Sequence, residues 1–232
     1  MRRVVVTGAN RGLGLEFTRQ LLARGDRVYA AVRKPGHALE LTRLALAHPG
    51  RVSVLPFDAT KPATAVELVR EIGLVDDAID VLINNAGVLP AGERYGAIEA
   101  KSLLDAFTIN VVGATLLTQA ATPMLERGTA PRVVNISSTL GSIGTRAAFG
   151  TPSYAISKAA LNMATRQLAF ELSARGIVAV AIHPGWVRTA MGGAEAELEP
   201  AAAVASVLGV IDRLRGADAG RFLDWNGTEV PW

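Results

Sequence analysis

Tyr154 and Lys158 stand four residues apart in Ser153–Leu161, a run whose other members are small or apolar. On a helix that spacing puts both side chains on one face, one turn apart. A phenol next to an ammonium can move a proton, because a cation favours the phenolate of a group that otherwise titrates near 10. The spacing alone fits a polar edge on a packed helix just as well. Two further polar features could complete a site. Ser137 and Ser138 end an apolar run, and either could aim a hydroxyl at a reacting oxygen. Asn110 lies in an apolar helical stretch, where a buried amide is a poor helix former and needs partners.

Such residues must be held against something that carries the harder chemistry. Residues 7–14 read TGANRGLG, directly after an apolar run and at the start of a helical one. Gly8, Gly12 and Gly14 keep Cβ atoms away from a turn that a pyrophosphate would approach, and the helix N-terminus offers N–H groups and a positive dipole end. Asn10, Arg11 and Leu13 fall inside the same turn. Its spacing is G-x-x-x-G-x-G rather than the commoner G-x-G-x-x-G. The second apolar run ends Ala31-Val32-Arg33-Lys34, with no carboxylate to take a ribose 2′-hydroxyl. Arg33, joined by Arg11, could instead pair with a 2′-phosphate. The expected cofactor is NADP(H) in preference to NAD(H).

The elements around these residues alternate throughout. β-Branched apolar runs at 3–8, 27–32, 51–57, 80–87, 132–138, 177–185 and 221–225 are separated by helical stretches at about 14–24, 37–47, 62–74, 99–127, 152–175 and 200–215. Continuous apolar strands of this kind are buried on both faces of a parallel sheet. The expected fold is α/β, a Rossmann-type doubly wound sandwich. Its sheet is seven-stranded and mostly parallel, with helices on both faces. No linker interrupts the pattern, so residues 1–232 form one domain.

Composition narrows the partners. A net charge of +3, from 24 basic and 21 acidic residues that are scattered rather than clustered, argues against nucleic acid. There are no cysteines, and the three histidines (His37, His48 and His183) lack ligand spacing, so no metal site is expected. His183 reads as a structural histidine. No uninterrupted apolar run reaches the roughly 18 residues of a membrane span, so a cytoplasmic protein without a membrane partner is expected.

The motifs TGANRGLG, Asn84-Asn85-Ala86-Gly87, Ser137-Ser138, Tyr154-x-x-x-Lys158 and Pro184-Gly185, in this order, resemble the short-chain dehydrogenase/reductase family over essentially the whole chain. The segments HPGWVRTAMGG (183–193) and DWNGTEVPW (224–232) are similar to the branch holding sniffer-type carbonyl reductases and bacterial C-factor proteins. Ala190 departs from that pattern, which carries an acidic residue there.

The resemblance implies an NADPH-dependent carbonyl reductase. In it Tyr154 is the acid/base, Lys158 binds the nicotinamide ribose and lowers the Tyr154 pKa, and Ser138 holds the substrate carbonyl. Asn110 would hold a water that links Lys158 to solvent. Asp58 with Ala59 would meet the adenine, and Asn85, Ala86 and Gly87 the adenosine side. Pro184, Val187 and Thr189 would lie at the nicotinamide end. A short lid over about 186–200, expected to be mobile at Gly192-Gly193, would offer Trp186 and Met191 to the substrate. The segment from Ala190 to Glu199 has no basic residue, so the substrate is expected to be a small neutral aldehyde, ketone or quinone. The family also implies pairing into a homodimer or homotetramer through the two long helices. The alternative reading is an NAD(P)-binding signalling or sensor protein of C-factor type with little turnover.

Overall fold

All seven apolar runs become strands. The computed structural model describes all 232 residues. Its strands are β1 (Arg3–Thr7), β2 (Arg27–Val32), β3 (Val52–Pro56), β4 (Val81–Asn84), β5 (Arg132–Ile136), β6 (Val178–His183) and β7 (Phe222–Asp224). Its helices are α1 (Gly12–Ala23), α2 (Leu39–Ala47), α3 (Ala63–Gly73), α4 (Ala100–Phe107), α5 (Gly113–Leu125), α6 (Pro152–Ser173) and α7 (Pro200–Arg213). The strands form one sheet in the order β3-β2-β1-β4-β5-β6-β7. Every pairing is parallel, where a mostly parallel sheet was expected.

Alternate strand residues feed opposite cores, as the pleat requires. Val4, Val6, Val28 and Ala30 pack with Phe17, Leu21 and Leu41 of α1 and α2 and with Val207 and Ile211 of α7. Val5, Tyr29, Leu82 and Val133 face the other way, onto Leu68 and Ile72 of α3, Leu117 and Leu125 of α5, and Leu172 of α6. Each such apolar side chain contributes roughly 1.5–3 kcal/mol through burial.

From β1 the chain winds outward to β2 and β3, and from β4 it winds the other way to β7. The carboxyl ends of β1 and β4 therefore flank the crevice in which such sheets bind ligands. The far end of this strand pair is fastened by Asp80. Its carboxylate accepts hydrogen bonds from the Arg3 backbone N–H at 2.7 Å and from the Arg3 guanidinium at 2.9 and 3.0 Å. This contact supports the register Val4↔Val81, which brings the ends of the two strands level.

The single helix expected over 99–127 is divided. A π turn at Thr108–Val112 separates α4 from α5, and Asn110 lies in it. Such one-turn widenings occur mainly at functional sites. The joined stretch Ala100–Leu125 is long and apolar enough on average to cross a membrane, although it has no uninterrupted apolar run. It packs on α3 and α6 as a core helix of the domain.

Candidate active site

At the end of β1 the chain enters its glycine turn with Gly8 at φ +65° and Gly12 at φ +53°, a left-handed backbone that favours glycine. A Cβ on Gly14 would lie 2.3 Å from the Gly8 carbonyl oxygen and 2.6 Å from Asn85 Nδ2, so only glycine lets the turn close. The N-terminus of α1 has no side-chain cap and no acidic residue in its first turn. Its free N–H groups and dipole are thus available to an anion.

The turn after β4 is sewn to this one. Thr7 Oγ1 accepts from the Asn85 N–H at 3.0 Å and the Ala86 N–H at 2.9 Å, and Asn85 Nδ2 donates to the Thr7 carbonyl at 2.9 Å. Sequence reasoning missed Thr7. Its signal is a lone hydroxyl closing an apolar strand.

Arg11, Arg33 and Lys34 are exposed beside this crevice. Arg19, Arg24 and Arg27 of the same two elements are each paired with a carboxylate, whereas these three form no ion pair. An uncapped helix N-terminus with unpaired cations fits the phosphates of a dinucleotide, NADP(H) included. Asp58, expected at the adenine, holds its own turn by accepting from Thr60 N–H at 3.0 Å and Thr60 Oγ1 at 2.7 Å. Burial works against its charge, but the Thr60 hydrogen bonds, Lys61 and Arg33 together hold it below the usual carboxylate range.

Along the same edge the structure brings Ser138, Tyr154, Lys158 and Asn110 together. Lys158 and Tyr154 are buried side chains of α6, with Lys158 Nζ 5.5 Å from the Tyr154 ring centroid. Lys158 Nζ donates to the Ile136 carbonyl at 2.7 Å. A Cβ on Gly141 would lie 2.6 Å from the Lys158 backbone carbon, so the short turn after Ser138 lies directly on α6.

The two serines separate. Ser137 donates to Asn162 Oδ1 at 2.6 Å inside the core, which leaves Ser138 as the hydroxyl beside Tyr154. Ser138 Oγ accepts from the Leu140 N–H at 3.1 Å, which fixes its rotamer.

Burial dominates the pKa values of both residues of the pair. Burial pushes Tyr154 up to about 12, opposed only by Ser138. Burial also pulls Lys158 down to about 8. In each group desolvation is the largest cause, and no carboxylate contributes to either.

Asn110 is tied into the protein on both sides of its amide. Oδ1 accepts from the Val88 N–H at 2.8 Å, and Nδ2 donates to the Val88 carbonyl at 3.0 Å and to Ser157 Oγ at 2.8 Å. Both amide hydrogens are used, so Oδ1 alone retains capacity for a water. A Cβ on Gly87 would meet Asn110 Oδ1 at 3.2 Å and Lys158 Nζ at 3.9 Å, so both groups lie against the same face of Gly87. His183 sits at the end of β6. Burial lowers its pKa against the opposing charge of Asp224, in keeping with a structural role.

Several hydrogen bonds cross the lid. Trp186 accepts from the Leu198 N–H at 3.0 Å, and the Arg188 N–H donates to the Leu198 carbonyl at 2.8 Å. The Arg188 guanidinium donates to the Ala196 carbonyl at 3.0 and 3.2 Å and pairs with Glu199. Trp186 gives its indole N–H to the Gly192 carbonyl at 2.8 Å, so this side chain braces the lid and has no donor left for a substrate. Thr189 caps the Gly192 N–H at 3.1 Å, and its methyl would lie 3.7 Å from a Cβ on Gly12. The lid therefore lies over the glycine turn. Pro184 and Val187 are buried beneath it, while Met191 and Ala190 are exposed.

The family model described as "short chain dehydrogenase" matches residues 2–199. The C-signal protein of Myxococcus xanthus is 44% identical over 154 residues, 66% of this chain and 93% of that protein. The solved structure of the carbonyl reductase Sniffer of D. melanogaster superposes with a TM-score of 0.95 at 33% identity, covering 100% of both chains. An NADPH-bound carbonyl reductase from chicken fatty liver gives 0.94 at 37% identity, covering 100% of this chain and 99% of that one.

Proposed function

We propose that this chain, which belongs to the short-chain dehydrogenase/reductase family and is an NAD(P)-dependent oxidoreductase, reduces small neutral aldehydes, ketones or quinones with NADPH as the preferred cofactor. The observation that carries this reading is the buried Tyr154–Lys158 pair beside Ser138 at the carboxyl edge of the sheet, next to an uncapped glycine turn. The similarity to two carbonyl reductases supports it.

When bound, NADPH supplies the hydride. The phosphates would lie on Gly12–Gly14 and against Arg11 and Arg33, with Asn85–Gly87 along the adenosine side. The phenol of Tyr154 holds the proton that the developing alkoxide must receive, and burial keeps that proton in place near neutrality. Ser138 donates a second hydrogen bond to the same oxygen, so charge that grows in the transition state meets two fixed donors. Lys158 presents an ammonium to the ribose side, and the free lone pair of Asn110 Oδ1 would hold the water that connects it outward.

Arg188 is committed to Ala196 and Glu199. The lid thus offers no free cation, in keeping with a neutral substrate. The cytoplasm is the expected compartment. Ile156, Met163 and Phe170 are exposed at seven-residue spacing along α6, an apolar stripe that pairing of two copies would cover.

The test is initial-rate measurement on a panel of aldehydes, ketones and quinones with NADPH and NADH, using wild type and Tyr154→Phe. Wild type turns over at least one class, and Tyr154→Phe loses roughly 10²–10⁴-fold in rate while keeping NADPH affinity. Undiminished turnover by Tyr154→Phe refutes the mechanism. The likeness to the C-signal protein favours a second reading, a signalling protein that binds NAD(P) with little turnover. Tight NADPH binding with no carbonyl consumed would select it.

A further inference from the structure

Helix α6, which carries Tyr154 and Lys158, begins without a cap of its own. Thr151 at the N-cap has φ +44° and its side chain makes no capping bond, while Pro152 has no N–H to cap. The first donor of the helix is therefore the Ser153 N–H. It is taken by a residue 60 positions earlier: Glu93 Oε2 accepts it at 3.2 Å, and Glu93 Oε1 accepts the Ser153 hydroxyl. Ser153 is buried and adjoins Tyr154. A carboxylate at a helix N-terminus is favoured both by the free N–H groups and by the dipole.

Glu93 lies in the connection from β4 to α4, and residues 94–99 of that connection are all exposed. The two bonds from Ser153 are the only hydrogen bonds tying residues 89–98 to another element. One more contact joins the same two segments, the edge-on pair Tyr95–Phe149 with ring centroids 6.0 Å apart. The connection starts at Asn85–Gly87 and Val88, which Asn110 holds. Glu93 thus closes a circuit from the glycine turn, through Asn110, back to the helix of the proton donor.

We propose that Glu93 is a positioning residue for the reaction. It caps the catalytic helix from outside and clasps the β4–α4 connection onto it, so that Tyr154 is held at a fixed distance from the substrate carbonyl. The inference rests on the reading of Tyr154 as the proton donor. Small displacements of a proton donor slow turnover without loosening a cofactor bound elsewhere in the crevice.

The test compares wild type, Glu93→Ala and Glu93→Gln in steady-state kinetics, NADPH titration by fluorescence, and hydrogen exchange read by mass spectrometry. In Glu93→Ala kcat is expected to fall about tenfold or more with the NADPH affinity within about twofold of wild type, and peptides covering 152–155 exchange faster. Glu93→Gln keeps one acceptor oxygen in the same shape and is expected to recover part of the loss and to fold as wild type does. A kcat within about twofold of wild type in Glu93→Ala, or a loss confined to the NADPH affinity, overturns the proposal. If wild type consumes no carbonyl, the functional reading fails separately. Exchange then decides the clasp alone, and unchanged protection of 152–155, whose Ser153 N–H is the amide that Glu93 accepts, overturns it.

Discussion

Replacing Lys158 by methionine removes a charge that the fold holds out of water. Burial brings the Lys158 pKa down to about 8, against about 10.4 in an unfolded chain. Below about pH 8 both states carry the ammonium, and the folded state bears the full desolvation penalty. As the pH rises past 8 the folded protein releases its proton while the unfolded chain keeps its own until about 10.4. The unfolded state then binds more protons, so stability rises with pH across that window. At about 1.36 kcal/mol per unit, this lysine contributes a rise of about 2 kcal/mol between roughly pH 7 and pH 9.5.

Lys158→Met keeps the length of the side chain and lacks this titration. It also leaves the Ile136 carbonyl without its 2.7 Å donor, at about 1–3 kcal/mol. That penalty is the same at every pH, so it offsets the curve without tilting it. The assay is urea unfolding followed by circular dichroism for both proteins at several pH values up to about 9.5. The upper limit matters because Tyr154 titrates at about 12 when folded and near 10 when unfolded, so it lowers stability above that range. The difference between the two proteins cancels every other group. It should grow in favour of wild type by about 2 kcal/mol from low to high pH. A difference flat to within about 0.5 kcal/mol would refute the claim that the ammonium is held against burial.

Two other substitutions probe the cofactor side. Gly14→Ala puts a Cβ 2.3 Å from the Gly8 carbonyl oxygen, so it should cost about 3 kcal/mol or more of stability and abolish tight NADPH binding. A Gly14→Ala protein that melts and binds NADPH as wild type does would show that the turn is not closed in this way. Arg33→Ala should raise the NADPH KM about tenfold and leave the NADH KM unchanged, since one charge-assisted contact to a 2′-phosphate is at stake. An unchanged NADPH-to-NADH ratio in initial rates would remove Arg33 from the cofactor site.

The sheet was legible because strands buried on both faces are continuous apolar runs, and β1 to β7 each fall within one. The glycine turn was legible because most of its steric demand is local: Gly8 and Gly12 take a left-handed backbone, and Gly14 must approach the Gly8 carbonyl six residues before it. What could not be read depends on contacts between distant residues or on burial. Shifting the hydrogen-bond pattern by one residue at Thr108–Val112 leaves no trace in an apolar helix beyond the odd presence of Asn110. Ser138 is chosen over Ser137 by the family resemblance alone, and the physical reason is Asn162, which claims Ser137 from 25 residues away. The hydrogen bonds that join Arg188 to Leu198 across ten residues of the lid, and the one from Trp186 to Gly192, leave no mark in the sequence, where only the glycines signal.

The raised Tyr154 pKa bears most on the proposed chemistry, because spacing predicts a partner and burial sets the direction. With Tyr154 at about 12 and Lys158 at about 8, the pair near neutrality is a phenol beside an ammonium, each holding its proton. In the proposed reduction the proton already sits on the group that must give it up. That protonation state comes from the burial of Tyr154 rather than from the Tyr–Lys spacing by which the pair is recognised.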